Sequence, residues 1–170
     1  MNTVIGVGNV LLSDDGVGVH TVQILNTHLK NNSDVTCIDA GTLSYELLDW
    51  LVESDAVLIV DAADMSEPAG TVKTFVDDEI ENYFRQAPSR TVHQICIRDA
   101  LNTAKILYER PKRCALIGIQ PSDLSWGNSL SGTLTSNMPT IIDAVLNTLS
   151  EWGAKIDPLV SEQAREGSIL

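Results

Sequence analysis

At 170 residues the chain is long enough to bury one substantial core and short for two, so a single domain is expected. Its 23 acidic against 11 basic residues give a formal net charge of −12, which argues against nucleic acid and anionic membranes as partners, because phosphates demand a basic surface. No apolar run reaches the length of a membrane span, no basic region followed by a long apolar segment opens the chain, and the widely spaced Cys37, Cys96 and Cys114 suit buried free thiols in a reducing compartment, so a cytoplasmic protein is expected.

The opening stretch, VIGVGNVLLSDDGVGVH, reads as strand, glycine turn, acidic corner and helix. Val4, Ile5 and Val7 mark a buried strand over 3–7, and Gly6 and Gly8 mark its sharp exit. Ser13, Asp14 and Asp15 precede a helix over 15–30, in which Val17, Val19, Val22, Leu25 and Leu29 recur at helical spacing. The whole has the form of a ligand-binding βα unit. As a dinucleotide fingerprint it is incomplete. The pattern G-x-G-x-x-G needs a glycine where Leu11 stands, and two aspartates at a helix start repel a pyrophosphate. Asp39, ending a second strand over 35–39, stands where a ribose-binding acid would sit, so a nucleotide-binding α/β enzyme is kept as the alternative. Ser13 or either aspartate would serve as a helix N-cap, which explains one acid of the pair and leaves the other.

Further along, Leu47, Leu48 and Leu51 share one side of a helix over 44–52. The strand over 56–60 is wholly apolar, hence central and parallel, and it stops at Asp61. Residues 71–76 alternate like a half-buried edge strand, and 77–81 form an acidic helix start. Pro88 breaks the chain before a helix over 94–108, which Pro111 ends. A last core strand over 114–119 stops at Gln120 and Pro121. A long loop follows over 122–138, Pro139 opens a final helix through Trp152, and residues 154–170 form a polar, loosely held tail after a domain over 1–153. This alternation predicts an α/β fold: a three-layer α/β/α sandwich around a mostly parallel twisted sheet of about five strands.

Such sheets bind ligands at the carboxyl ends of their strands, near a switch in strand order. Asn9, Asp14 and Asp15 follow the first strand there, Asp39 ends the second, and Asp61 ends the third with Asp64 just beyond. Converging carboxylates repel one another, and a bound cation relieves the repulsion. His20 and His28 lie along the first helix and read as packing or surface residues, whereas His93 stands between a chain breaker and a helix start. Two carboxylates and an imidazole suit a borderline divalent metal such as nickel or zinc. There is no H-E-x-x-H, no P-loop and no G-x-S-x-G; Ser129 and Ser131 lack the strand-to-helix setting of a nucleophile elbow.

Five ordered signatures between Thr3 and Trp152 resemble the [NiFe]-hydrogenase maturation endopeptidases: GVGNVLLSDDGVGV (from Gly6), DAGT (from Asp39), VDAAD (from Val60), His93 and GIQP (from Gly118). The resemblance implies a peptidase that removes the C-terminal extension of the hydrogenase large-subunit precursor after nickel insertion, with the bound nickel as recognition motif. It places the metal-contacting and catalytic residues at Asp15, Asp61 and His93. Asp15 falls where some members carry Glu, so its reach to a metal is shorter. Nickel then comes with the substrate, although other divalent metals could occupy the isolated site, and the partner is the precursor itself. The backbone of Gly41 and Thr42 is a candidate for orienting the peptide, beside its reading as a helix entry turn. A monomer is expected. A non-catalytic acidic metal-binding protein is the third reading, for which the five signatures would be a coincidence.

Overall fold

The computed structural model describes residues 1–42, 46–86, 92–107 and 111–166, with the backbone alone described at 92–96, 159, 165 and 166. β1 (Asn2–Val7) leads through a 3-10 turn (Ser13–Gly16) into α1 (Val17–Leu29). β2 (Val35–Gly41), α2 (Glu46–Glu53) and β3 (Ala56–Ala62) follow, then β4 (Val72–Val76), α3 (Asp78–Gln86) and α4 (Val92–Leu107). β5 (Arg113–Ile119), α5 (Gly132–Glu151) and α6 (Pro158–Glu166) complete the order. The five strands form one sheet in the order β2-β1-β3-β5-β4, parallel except for β4, which runs antiparallel along β5 at one edge. The three-layer α/β sandwich and the central, buried β3 are as the sequence predicts.

Alternation along the strands divides the interior in two. Val4, Leu58, Val60 and Ile117 face a core shared with α1, α5 and α6. Ile5, Val57, Ile59 and Leu116 face the core under α2, α3 and α4. Every residue of β3 is buried because helices cover both faces, which is why its sequence runs apolar without alternation from Ala56 to Val60 before Asp61.

α1 lies unusually close to the sheet. A Cβ on Gly18 would stand 2.1 Å from the Val60 carbonyl oxygen and 2.4 Å from that of Val7, so the helix can seat between β1 and β3 only with glycine there. Gly18 thereby supplies the close helix–strand approach that the third glycine of a dinucleotide fingerprint would have supplied at Leu11, which instead is exposed.

Two C-terminal expectations are corrected. The last long helix starts at Gly132, not at Pro139, which lies within it on the exposed side. The Ser131 side chain caps its start by accepting from the Leu134 N–H at 3.3 Å, and Leu134 and Met138 extend the buried stripe of Ile141, Ile142, Val145 and Leu149. A proline in that place forfeits one helical hydrogen bond, which the buried stripe outweighs. The segment read as a polar tail contains α6, which packs on α5 and α1 with Ala164 buried among them. Its three-residue apolar content is too thin for a sequence pattern to reveal, because most of the stripe it covers belongs to other helices.

Replacing Gly18 with alanine should lower the unfolding free energy by about 3 kcal/mol or more, as the added methyl group meets backbone rather than a mobile side chain. Urea unfolding followed by circular dichroism checks this, and a loss below about 1 kcal/mol would show that α1 is free to retreat from the sheet.

Candidate active site

From β1 the chain passes to β2 on one side and returns to β3 on the other, so the strand order reverses between β1 and β3, the place at whose carboxyl ends sheets of this kind bind their ligands. The exit from β1 is tight. Gly8 has φ +134°, and a Cβ there would stand 1.8 Å from the Asp15 carbonyl oxygen. Its N–H donates to the Gly41 carbonyl at 2.9 Å, tying this exit to the end of β2. The carbonyl of Gly41, a candidate for orienting a peptide, is therefore already engaged.

The two adjacent acids serve different ends. Asp14 is fully buried, and its carboxylate accepts three backbone N–H groups: Ser122 at 2.8 Å, Asp123 at 2.9 Å and Ser131 at 2.7 Å. It thus holds the segment between β5 and α5 against the turn after β1. Asp15, only 2% exposed, accepts the Asn9 N–H at 2.9 Å through Oδ2. Neither acid caps α1, whose N-cap position is Gly16 with no side-chain hydrogen bond. The capping reading of the pair is therefore replaced: one acid is a clasp, and the other is a buried acceptor for the Asn9 N–H on the turn after β1.

Asp61 is 3% exposed and lies within β3 rather than beyond it, because pairing with β5 continues through Asp61↔Gly118 and Ala62↔Ile119. Asp64, half-buried, accepts the Ser66 N–H at 3.1 Å and the Gln120 side-chain amide at 3.4 Å. The Gln120 oxygen in turn accepts the N–H groups of Met65 at 2.7 Å and Glu67 at 3.3 Å. One glutamine so fixes the turn after β3, which accounts for its place directly after the last core strand. Asp39 is exposed and bonded to Gln23 and to the Gly41 N–H, an edge-strand turn acid. Of the acids at three strand ends, the fold therefore brings Asp15 and Asp61 to the two strands flanking the switch point and leaves Asp39 outside. His93 is the second residue of α4; its side chain, like that of Cys96, lies outside the described residues. No three of His, Cys, Asp and Glu form a metal cluster among the described residues.

Beyond the end of β3 a groove of about 630 Å³ runs between α3 and β4, lined by Asp64, Met65, Phe75, Asn82 and Tyr83. Tyr83 stacks on Phe75 with ring centroids 4.8 Å apart. Its hydroxyl is buried without a hydrogen-bond partner among the described residues. Burial raises its pKa above the usual tyrosine range, and the charges of Asp61 and Asp64 raise it further, so the phenol stays protonated as a donor within electrostatic reach of both carboxylates. Sequence reasoning missed Tyr83, since at its spacing from Ile80 and Phe84 it reads as one more apolar face residue of a helix. It also missed Asp14's clasp, which depends on backbone groups more than a hundred positions away.

Comparison with known proteins agrees with this architecture. The hydrogenase maturation protease family model matches residues 19–148. The hydrogenase expression/formation protein HupD of Rhizobium leguminosarum bv. viciae is 32% identical over 154 residues, spanning 90% of this chain and 76% of the relative. The hydrogenase 2 maturation protease of Escherichia coli (strain K12) is 31% identical over 156 residues, 91% of this chain and 94% of its own. The solved structure of the hydrogenase maturating endopeptidase HybD from E. coli superposes with a TM-score of 0.79 at 29% identity, covering 89% of this chain and 93% of that one.

Asp14→Asn should cost about 2–4 kcal/mol, because both carboxylate oxygens accept N–H groups and an amide must turn its NH₂ towards one of these donors. Asp15→Asn keeps an acceptor for the Asn9 N–H and should stay within about 1 kcal/mol of the parent. Paired urea titrations check the contrast. A pH effect is expected at His20, whose Nε2 is buried without a partner among the described residues. Burial lowers its pKa below the usual value near 6.5, while Asp39 acts in the opposite direction. The unfolded chain then binds the proton more readily than the folded one. Stability is complete above about pH 6.5 and falls as pH drops from there through the folded pKa. Melting curves at about pH 7.5 and about pH 5.5 should separate the parent by more than they separate His20→Gln.

Proposed function

The chain belongs to the hydrogenase maturation protease family, a family of peptidases, and on that footing we propose that it removes the C-terminal extension of a nickel-loaded [NiFe]-hydrogenase large-subunit precursor. The observation that carries the reading is the pair of buried carboxylates, Asp15 and Asp61, at the carboxyl ends of the two strands that flank the switch point. His93, at the start of α4, is proposed to complete the set with an imidazole nitrogen.

Nickel is here part of the substrate, arriving on the precursor's own thiolates, so the protease need contribute only a few open ligands instead of a closed cage. Carboxylate oxygen and imidazole nitrogen suit such a borderline ion. Anchoring the ion fixes the chain that follows it relative to the two acids, and proximity of this kind lowers the barrier of a peptide hydrolysis substantially. Water then adds to the scissile carbonyl carbon while a site carboxylate accepts its proton; the C–N bond breaks and the proton passes to the departing amine. The new C-terminus leaves with the large subunit. A divalent metal can also occupy the site in the isolated protease, with the same three residues as its ligands.

Incubation with nickel-loaded precursor, followed by mass measurement of the large subunit, tests the reading. Asp15→Asn, Asp61→Asn and His93→Ala should each reduce processing at least a hundredfold while the circular dichroism spectrum is kept, in line with removal of groups that act as a unit. Precursor treated with a chelator should remain uncut. Cadmium at a hundredfold excess over its dissociation constant should stabilise the parent by about 2.7 kcal/mol and Asp15→Asn clearly less. Normal cutting by Asp15→Asn with an undiminished metal shift would remove Asp15 from the site.

A further inference from the structure

The turn that carries Asp15 and the loop fastened to it display apolar side chains that the chemistry above does not use. Leu11, Leu124 and Trp126 are 53%, 47% and 82% exposed, on the two segments that close over the 3-10 turn. A tryptophan so far out of the core on a soluble domain calls for a partner, because it forfeits the burial that such a side chain normally gains.

These segments are fastened to each other through their backbones. The Gly127 N–H donates to the Leu11 carbonyl at 3.0 Å and the Ser13 N–H to the Gly127 carbonyl at 3.0 Å, with Leu12 and Gly127 bridged in parallel. The Asp14 N–H donates to the Asp123 carbonyl at 3.0 Å and the Ser13 hydroxyl to that of Ser125 at 3.1 Å. Approach is so close that a Cβ on Gly127 would stand 2.6 Å from Ser13 Oγ. Asp14 adds its three bonds from below. Leu11 and Trp126 are thus displayed on a stiff platform. A preordered aromatic and aliphatic pair loses little entropy on docking, which is the character of an interface hot spot.

We infer that Leu11, Leu124 and Trp126 form a docking knob for the folded body of the hydrogenase large-subunit precursor, an inference that rests on the proposed function. The knob adjoins the proposed site, since Leu11 lies four residues before Asp15 on the segment that follows β1. A precursor whose scissile segment reaches Asp15 and Asp61 must stand over this edge of the sheet. Charge adds to the specification. Asp123 sits on the same loop, its pKa held below the usual carboxylate range by hydrogen bonds from Ser125, and the whole chain carries a net charge of −12. The matching face of the precursor is therefore an apolar depression with basic side chains beside it.

The test uses the full chain and nickel-loaded precursor, with initial cleavage rates measured against precursor concentration and binding to the same precursor measured by interferometry. Trp126→Ala should raise KM and the dissociation constant about tenfold or more, with kcat within about twofold, and Leu124→Ser should act in the same direction. Trp126→Phe should recover most of the loss. Melting temperature and the cadmium-induced shift should match the parent in all three, because the side chains lie outside both the core and the ligand set. An unchanged KM and dissociation constant in Trp126→Ala, with the parent active, would overturn the knob and leave the proposed function standing. A parent that binds nickel-loaded precursor without cutting it would overturn the proposed function, while the Trp126→Ala dissociation constant would still decide the knob. A parent that does neither overturns both.

Discussion

A single buried carboxylate holds the working end of this molecule together. Asp14 has no cation beside it in the described hydrogen bonds; three backbone N–H groups from one distant segment satisfy it instead. Taking a charged group out of water costs several kcal/mol unless such bonds replace its hydration, so the clasp works only when all three donors are in place. That makes it a geometric specification as much as an attraction: the segment from Ser122 to Ser131 has one position in which the acid is satisfied. The start of α5, the path of the loop over the turn after β1 and the direction of the neighbouring Asp15 all follow from that position.

The same economy explains why two aspartates stand side by side. In a 3-10 turn, consecutive side chains leave the backbone in different directions, so adjacent acids can serve separate masters. One is directed at the loop and spends its acceptor capacity there. The other, bonded to the Asn9 N–H, stands on the turn after β1, the strand that pairs directly with the strand carrying Asp61. An acid held by a fixed scaffold does not need to be reoriented when a ligand arrives, and preorganisation of this kind is what electrostatic catalysis and metal recognition both demand.

Much of this was legible in the residues and some was not. The apolar run of β3 and the glycines after β1 state their places because strand periodicity and turn chemistry act locally, whereas of the acids read at the strand ends Asp61 falls within β3 and Asp39 serves its own turn and Gln23. The start of α5 was hidden behind Pro139, since a proline is read as a boundary unless the buried stripe on both sides is known to continue. α6 was hidden for the opposite reason, its few apolar contacts being complementary to a surface made by α1 and α5. Asp14 illustrates the deepest limit. Its partners are N–H groups, which every non-proline residue carries, so no side-chain pattern announces them.

If Asp15, Asp61 and His93 form the open ligand set proposed above, the stiff segment beside them has a consequence for selectivity. A few carboxylates and an imidazole bind many divalent ions and reject few of them, because affinity for such ligands follows the metal more than the site. Discrimination among substrates must then come from surfaces that touch the protein around the metal, where apolar fit and charge pattern vary from one precursor to another. Leu11 and Gly127 belong to the two strands of chain that Asp14 and Ser13 fasten together, so the surface that would choose the substrate and the turn that carries Asp15 are parts of one rigid piece. A partner seated on that piece is registered against Asp15 by construction, to the tolerance of a few hydrogen bonds. On that proposal docking and chemistry are coupled with no moving part, and the buried carboxylate of Asp14, which fixes the loop against the turn, is the element that would couple them.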